Sequence, residues 1–252
     1  MCGIVAYVGN RRAFPILIKG LQRLEYRGYD SAGVGLIAQD HNKITVYKQS
    51  GKVSDLLDYI GEKDTNGSIG IGHTRWATHG APNQQNSHPH DSSDNSFSLI
   101  HNGIIENYIE LKNNQLKQGY EFTSETDTEV IAHAVDFAMQ SSKSLVSSVQ
   151  KALKSFEGSY GLGIISSKYP DQIIAARKGS PLLIGISKNG NYIASDQMAL
   201  LSVTKEFIFL EEGDVAEIKL DKITIYDLND NLVERPIKIS NLKLGQVDLE
   251  DY

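Results

Sequence analysis

The chain opens with MCGIVAYV, residues 1–8, and this stretch decides how the rest of the sequence is interpreted. Cys2 is the only cysteine of the chain, and it stands directly before a run of β-branched and other apolar residues. The run ends at Gly9 and Asn10, a pair that favours a turn. The stretch therefore predicts a strand at residues 4–8 with a thiol at its beginning.

The position of Cys2 makes it a candidate nucleophile. A small second residue allows Met1 to be removed, which would leave one residue with both a thiol and a free α-amine. Their unperturbed pKa values lie near ~8.5 and ~7.7–8.0, and an N-terminal amine can serve as the base for its own side chain. The alternative is that Cys2 is an incidental buried small hydrophobe.

Composition narrows the class of protein. A chain of 252 residues can bury a sizeable core, and 40% apolar with 22% charged residues is ordinary for a globular protein. A net charge of −6 provides no basic field for nucleic acid or an anionic membrane. A single cysteine excludes an internal disulfide framework and fits a reducing compartment. No signal segment or long apolar run is visible, so we expect a cytoplasmic protein without nucleic-acid or membrane partners.

Apolar runs alternate with helical patterns along the chain. Strands are predicted at residues 4–8, 32–38, 43–48, 69–74 and 97–101, with a turn at 40–42. Helices are predicted at residues 15–28, 106–118 and 126–140, and residues 158–225 are predicted to be strands and turns. Strands on both sides of a central helical pair predict a layered α+β domain, with sheets inside and helices outside.

The first polar cluster is HTRWATHG, residues 73–80, which follows an apolar strand. Loops at strand ends are where ligand chemistry gathers, and the planar fork of Arg75 suits a carboxylate. Trp76, Thr78 and His79 add an indole, a hydroxyl and an imidazole. The alternative is a solvated loop with a structural ion pair.

The second cluster is HNGIIEN, residues 101–107, where a strand is predicted to meet a turn. The side-chain amide of Asn102 and the backbone N–H of Gly103 could both point at one developing oxyanion, because glycine removes Cβ crowding. The alternative is an ordinary Asn-Gly turn.

The third cluster is SETDTEV, residues 124–130, at the predicted start of a helix. Serine, threonine and acidic residues there are explained by N-capping and a first-turn carboxylate. Asp127 is equally suited to bind an ammonium group, so both interpretations stay open.

Taken together these motifs resemble one family. Residues 1–5, 24–33, 73–80, 101–107 and 124–130 occur in the order found in the glutaminase half of the glutamine–fructose-6-phosphate aminotransferases, which are class II glutamine amidotransferases. The amidophosphoribosyltransferase and asparagine synthetase glutaminases share the Cys-Gly-Ile and Asn-Gly elements. They differ around RGYDSAG and TRWATHG.

The resemblance implies a four-layer αββα sandwich of the N-terminal-nucleophile hydrolase type. It places a glutamine amidotransferase domain at residues 1–240 and the start of a linker to a sugar-phosphate isomerase half at residues 241–252. The implied reaction is hydrolysis of L-glutamine to L-glutamate and ammonia. In the full-length family members the ammonia passes to fructose 6-phosphate to give glucosamine 6-phosphate, so we expect this chain alone to release it.

By the same resemblance, Cys2 attacks the amide carbonyl while its α-amine manages the protons through a water. Asn102 and Gly103 hold the oxyanion. Arg75 takes the α-carboxylate of the substrate and Asp127 its α-ammonium. The loop with the substrate-binding residues Trp76, Thr78 and His79 closes over the ligand.

Two further positions match the family less specifically. Arg27 lies near the nucleophile in the family, but an ion pair with a nearby acid explains it equally well. His88 matches a position near the glutamine loop, and a structural hydrogen bond is as good an explanation. The HPH stretch at residues 88–90 lacks a third ligand at suitable spacing, so neither zinc nor any other cofactor is expected.

Two rival functions and two origins remain open. The chain could hydrolyse another amide with the same N-terminal cysteine, or bind glutamine for regulation without turnover. It could be an excised domain or a naturally short product. The resemblance also allows a homodimer.

Overall fold

Strands and helices of the computed structural model are described for residues 2–38, 43–76 and 80–242. In chain order the strands are β1 (Gly3–Gly9), β2 (Ser31–Ile37), β3 (Ile44–Ser50), β4 (Ile69–Arg75), β5 (His90–Asp91), β6 (Phe97–Ile105), β7 (Gly158–Ser166), β8 (Tyr169–Lys178), β9 (Leu183–Ser187), β10 (Gly190–Ala194), β11 (Glu206–Phe209), β12 (Val215–Lys219), β13 (Ile223–Tyr226), β14 (Leu232–Val233) and β15 (Ile237–Ile239). The helices are α1 (Ala13–Gln22), α2 (Val53–Ile60), α3 (Tyr108–Lys117), α4 (Glu129–Met139) and α5 (Leu145–Leu153).

These strands form two sheets. The eight-stranded sheet has the order β15-β11-β9-β10-β1-β4-β2-β3, and the seven-stranded sheet has the order β14-β13-β12-β8-β7-β6-β5. Neighbouring strands in both sheets run antiparallel. β1 lies in the middle of the eight-stranded sheet, between β10 and β4, so the N-terminal stretch is at the centre of the fold.

Strand β1 shows how the four layers are held together. Successive side chains of a strand point to opposite faces of a sheet. Val5 and Tyr7 accordingly pack in the core that contains Leu17 of α1, whereas Ile4 and Ala6 pack in the core between the sheets. A third core joins the outer face of the seven-stranded sheet to α4 and α5. The predicted α+β sandwich with helices outside two sheets is therefore confirmed.

The helices differ from the sequence prediction in extent and number. The helix predicted at residues 15–28 ends at Gln22 and is followed by a 3₁₀ turn at Glu25–Arg27. Helices α2 and α5 were not predicted. Both are short, with eight and nine residues, and helices of that length depend on tertiary packing of one face, so their sequence periodicity is brief.

Two predicted segments lie outside the described residues: the turn at 40–42 and most of the linker at 241–252. In the three described ranges, no helix combines the length and apolar character needed to cross a membrane.

The core between the sheets predicts a specific stability effect. Ile71 of β4 is fully buried in that core, while Ile239 of β15 is 70% exposed. We expect Ile71→Ala to lower the free energy of unfolding by roughly 2–5 kcal/mol, because it removes buried methyl groups and leaves a cavity. The matched Ile239→Ala should change it by less than about 0.5 kcal/mol. Urea unfolding of both variants measures the difference, and equal losses would contradict the described core.

Candidate active site

Cys2 immediately precedes the first residue of β1 and lies beside the last residue of the neighbouring strand β4. The pairing places Gly3 opposite Thr74, which brings Cys2 next to the residues that follow β4. The Cys2 Sγ accepts a hydrogen bond from the Trp76 backbone N–H at 3.2 Å, and the thiol faces the Trp76 carbonyl oxygen at 3.6 Å. Burial raises the pKa of the Cys2 thiol, and the Trp76 N–H offsets only part of that effect. The thiol therefore stays protonated at neutral pH unless a base takes its proton.

Asn102 comes from the opposite sheet and reaches the same point. It lies within β6, paired with Gly161 of β7, and its Nδ2 donates to the Cys2 carbonyl oxygen at 3.0 Å. The strand predicted to end at His101 continues to Ile105 because its pairing with β7 continues. The alternative of an ordinary Asn-Gly turn is therefore wrong.

Gly103 follows Asn102 inside the strand with a backbone that only glycine adopts easily. Its φ is +133°, and a Cβ at this position would collide with the Ser159 carbonyl oxygen of β7. Two residues further along β6, the Ile105 N–H donates to the Asp127 carboxylate.

Asp127 is held by β6 rather than used as a helix cap. Helix α4 begins at Glu129, three residues after the predicted start, and the preceding Thr128 makes no side-chain cap. The buried Asp127 carboxylate accepts from the Ile105 N–H at 2.8 Å. Glu129 anchors the loop that precedes α4. Its carboxylate accepts hydrogen bonds from the Ser124 backbone N–H and from the Ser124 hydroxyl, at 2.6 Å each. The capping explanation is therefore wrong for Asp127.

Arg75 ends β4 with its guanidinium buried. Its Nη atoms donate to the carbonyl oxygens of Gly80 and Ala81 at 3.4 Å each, and Nη1 lies 3.8 Å from the Asp30 carboxylate. The ion pair of the alternative interpretation is thus present, but the group is not solvated. Trp76, the next residue, is 53% exposed.

These residues surround one cavity of about 270 Å³. It is lined by Cys2, Arg27, Arg75, Trp76, His88, His101, Asn102, Gly103, Ile104, Thr126, Asp127, Thr128, Ser159, Ser180 and Pro181. The cavity thus presents a thiol, an amide N–H beside a strand glycine, one buried cation and one buried anion. Thr78 and His79, the other predicted binding residues, lie outside the described residues.

A larger cavity of about 680 Å³ lies elsewhere, against Lys48, Asp91 and His133. Its lining includes neither Cys2 nor Arg75. The chemistry of the smaller cavity, rather than its size, therefore makes it the candidate site.

Comparison with known proteins identifies the family of this chain. The glutamine amidotransferase domain family matches residues 73–202, which is more than half of the chain. The chain belongs to the glutamine amidotransferase domain family. It is 51% identical over 243 residues to the glutamine–fructose-6-phosphate aminotransferase (isomerizing) of Haemophilus influenzae, covering 96% of this chain and 39% of that protein. The enzyme of the same name from Bacteroides thetaiotaomicron is 47% identical over 254 residues, covering 100% and 41%. The chain thus spans about two fifths of the length of these curated relatives.

Two solved structures share the fold of this chain. The glutamine phosphoribosylpyrophosphate amidotransferase from B. subtilis, complexed with ADP and GMP, superposes with a TM-score of 0.79 at 26% identity, covering 92% of this chain and 50% of that one. A glutamine aminotransferase class-II domain protein from Silicibacter pomeroyi gives a TM-score of 0.57 at 11% identity, covering 90% and 98%, and this likeness concerns the fold alone. The expected N-terminal-nucleophile hydrolase type of fold is confirmed.

Arg27 and His88, the two positions that match the family less specifically, line the cavity and also have structural partners. Arg27 forms an ion pair with Asp196 at 2.9 Å. His88 is buried, and its Nε2 lies 3.0 Å from the Thr128 hydroxyl. Among the described residues, no group of three or more histidine, cysteine and acidic side chains is arranged to hold a metal ion.

Several cavity residues were not singled out from the sequence. His101 and Thr128 line the cavity and lay within the quoted motifs, as did His73, which lies behind Asn102. All three are buried, and a buried polar residue among apolar neighbours could have drawn attention to them. Ser159 and Ser180 reach the cavity from β7 and from the loop after β8. Nothing local in the sequence marks these two, since only the tertiary fold brings them to the cavity.

Gly103 and Gly119 provide a matched test of the backbone at this site. Both have positive φ, but a Cβ on Gly119 would meet no atom within 4 Å, whereas one on Gly103 would strike the Ser159 carbonyl. Gly119→Ala should cost about 1 kcal/mol of unfolding free energy for its backbone strain. Gly103→Ala should cost a further ~1–3 kcal/mol through overpacking. Urea denaturation compares them, and equal costs would argue against the close approach of β6 and β7.

Proposed function

We propose that this domain hydrolyses the side-chain amide of L-glutamine to L-glutamate and ammonia, with Cys2 as the nucleophile. The observation that carries the proposal is the composition of the single cavity around Cys2. A thiol, an amide donor beside a strand glycine, a buried guanidinium and a buried carboxylate all line it. Each group matches one part of the substrate or of its tetrahedral intermediate.

The two charged residues account for recognition of a free amino acid. A zwitterion presents a carboxylate and an ammonium a few ångströms apart, so it needs one cation and one anion on the cavity wall. The Arg75 fork binds both carboxylate oxygens, and Asp127 accepts from the ammonium. Arg75 is kept in place by the Gly80 and Ala81 carbonyls, and Asp127 by the Ile105 N–H, so both are oriented before substrate arrives.

The reaction follows from the remaining groups. The Cys2 sulfur adds to the amide carbonyl carbon, and the oxygen gains the negative charge, which the Asn102 Nδ2 and the Gly103 N–H stabilise. The C–N bond then breaks and ammonia leaves with the transferred proton, which forms a thioester. Water hydrolyses the thioester, releasing L-glutamate and restoring the thiol. No cofactor is required by these steps.

Proton transfer requires a base near the sulfur. Because burial raises the thiol pKa, little thiolate is present before substrate binds. The α-amine of Cys2 has a pKa near ~7.7–8.0 when it is free, so it is matched to this task. It becomes free only after Met1 is removed, and we propose that it acts through a bridging water.

We further propose that the domain belongs to a longer cytoplasmic enzyme. The curated relatives extend well beyond the matched 39–41% of their length, and their names describe an isomerizing aminotransferase that acts on fructose 6-phosphate. In this proposal residues 1–240 are the glutaminase domain and residues 241–252 begin the linker to the isomerase half. The ammonia would then pass to fructose 6-phosphate, and two copies would form a homodimer.

Glutamate release from L-glutamine tests the function directly. We expect steady release by the purified chain and none by Cys2→Ala, since that variant lacks the sulfur. Intact mass shows whether Met1 has been removed. A fully active sample that still carries Met1 would contradict the role of the α-amine. Release of glutamate only from other amides, or saturable glutamine binding without turnover, would favour the rival functions.

Kinetics of two further variants separate chemistry from binding. Asn102→Ala should lower kcat by roughly 10²–10³, because one oxyanion donor is lost. Asp127→Asn keeps the size of the side chain but removes its charge, so it should raise KM by roughly tenfold to a hundredfold with a smaller change in kcat. Unchanged turnover of Asn102→Ala would remove the oxyanion assignment, and an unchanged KM of Asp127→Asn would remove the ammonium assignment.

A further inference from the structure

A buried histidine contacts the proposed oxyanion residue from behind. His73 belongs to β4, and its side chain is fully buried. Its Nε2 lies 2.9 Å from Asn102 Oδ1 and 3.0 Å from the His101 carbonyl oxygen. Both partners are acceptors, so Nε2 carries the hydrogen and donates it between them.

The neighbouring ring of His88 does not compete for this hydrogen. Its Nδ1 lies 3.1 and 3.2 Å from the two ring nitrogens of His73, and the rings are inclined at 65°. Nearly equal distances to two nitrogens on either side of one carbon place His88 over the face of the His73 ring. The Nε2–H in the ring plane therefore remains directed at the two oxygens. Burial also lowers the pKa of His73 to about 3, so the ring stays neutral at neutral pH.

This donor decides which end of the Asn102 amide faces the nucleophile. With Oδ1 accepting from His73, Nδ2 points the other way and donates to the Cys2 carbonyl oxygen at 3.0 Å. A 180° flip of the amide would set its NH₂ against the His73 N–H and its oxygen against the Cys2 oxygen. Both contacts would then be repulsive, so His73 and Cys2 together select one orientation.

We propose that His73 is a positioning residue, which fixes the Asn102 amide with its donor toward Cys2 and thereby prepares the oxyanion site. This inference rests on the proposed glutaminase activity. The same N–H also joins the two sheets, because His73 lies in the eight-stranded sheet and Asn102 in the seven-stranded one.

Kinetics of His73 variants test the proposal. His73→Leu should lower kcat for glutamate release by roughly tenfold to a hundredfold, which is less than the loss of Asn102 itself, and should leave KM within about twofold. His73→Gln can still donate from its amide nitrogen, so it should recover most of the activity. In an Asn102→Ala background, His73→Leu should cause little further loss. Additive losses, or an equally inactive His73→Gln, would overturn the proposal.

A matched control is His133→Leu. His133 is a buried histidine of α4 whose ring packs against Tyr120 and Phe122, away from the cavity around Cys2. Its substitution should leave kcat and KM at wild-type values, provided that the variant unfolds cooperatively. A loss equal to that of His73→Leu would mean that removal of any buried histidine slows the enzyme, and would overturn a specific role.

A measurement on the unaltered chain does not depend on activity or on the folding of a variant. ¹⁵N NMR of the imidazole rings reports which nitrogen of His73 carries the hydrogen. We expect a neutral ring with the hydrogen on Nε2 throughout pH 6–8. A hydrogen on Nδ1, or a charged ring, would overturn the proposal even if glutamine turnover were observed. The expected ring state without turnover would instead place the failure in the proposed function.

Discussion

The antiparallel register of β1 against β4 is the constraint on which the site depends. It sets Gly3 opposite Thr74, so Cys2 lies beside Arg75 and Trp76 at the ends of two adjacent central strands. A Cβ on Gly3 would press into the Thr74 hydroxyl, so the glycine after Cys2 allows this close pairing. A slip of one residue would turn every buried side chain of β1 to the wrong face, and both cores oppose it.

The second sheet supplies the complementary half of the site. Cys2 and the guanidinium of Arg75 lie on the side of the eight-stranded sheet, whereas Asn102, Gly103 and the β6 contact of Asp127 come from the seven-stranded one. The distance between these halves is set by the apolar core between the sheets. Polar contacts, such as the one from Asn102 to the Cys2 carbonyl, then fix the alignment that a non-directional core leaves open.

The sequence predicted the layers and the main polar residues, but not the local structure that presents them. The strand after Cys2 followed from its apolar pattern, and the grouping of Arg75, Asn102 and Asp127 followed from the family resemblance. Cys2 and these three residues line one cavity. The status of Asn102 as a strand residue depends on pairing with Gly161, far along the chain, so an Asn-Gly pair looked like a turn. His73 was inconspicuous because its role depends on a contact between two sheets, which no local pattern records.

Burial shifts the pKa values of the ionisable groups at this site. It lowers the pKa of His73, His88 and His101 and raises that of the Cys2 thiol. Proton transfer from the Cys2 thiol to one of these imidazoles is therefore unfavourable, because burial makes the thiol a weaker acid and the imidazoles weaker bases. The buried imidazoles are therefore suited to hold oxygens and amides in place rather than to accept the thiol proton. In the proposed mechanism a free α-amine of Cys2, with an ordinary pKa near ~7.7–8.0, accepts the thiol proton, so positioning and proton transfer fall to separate groups.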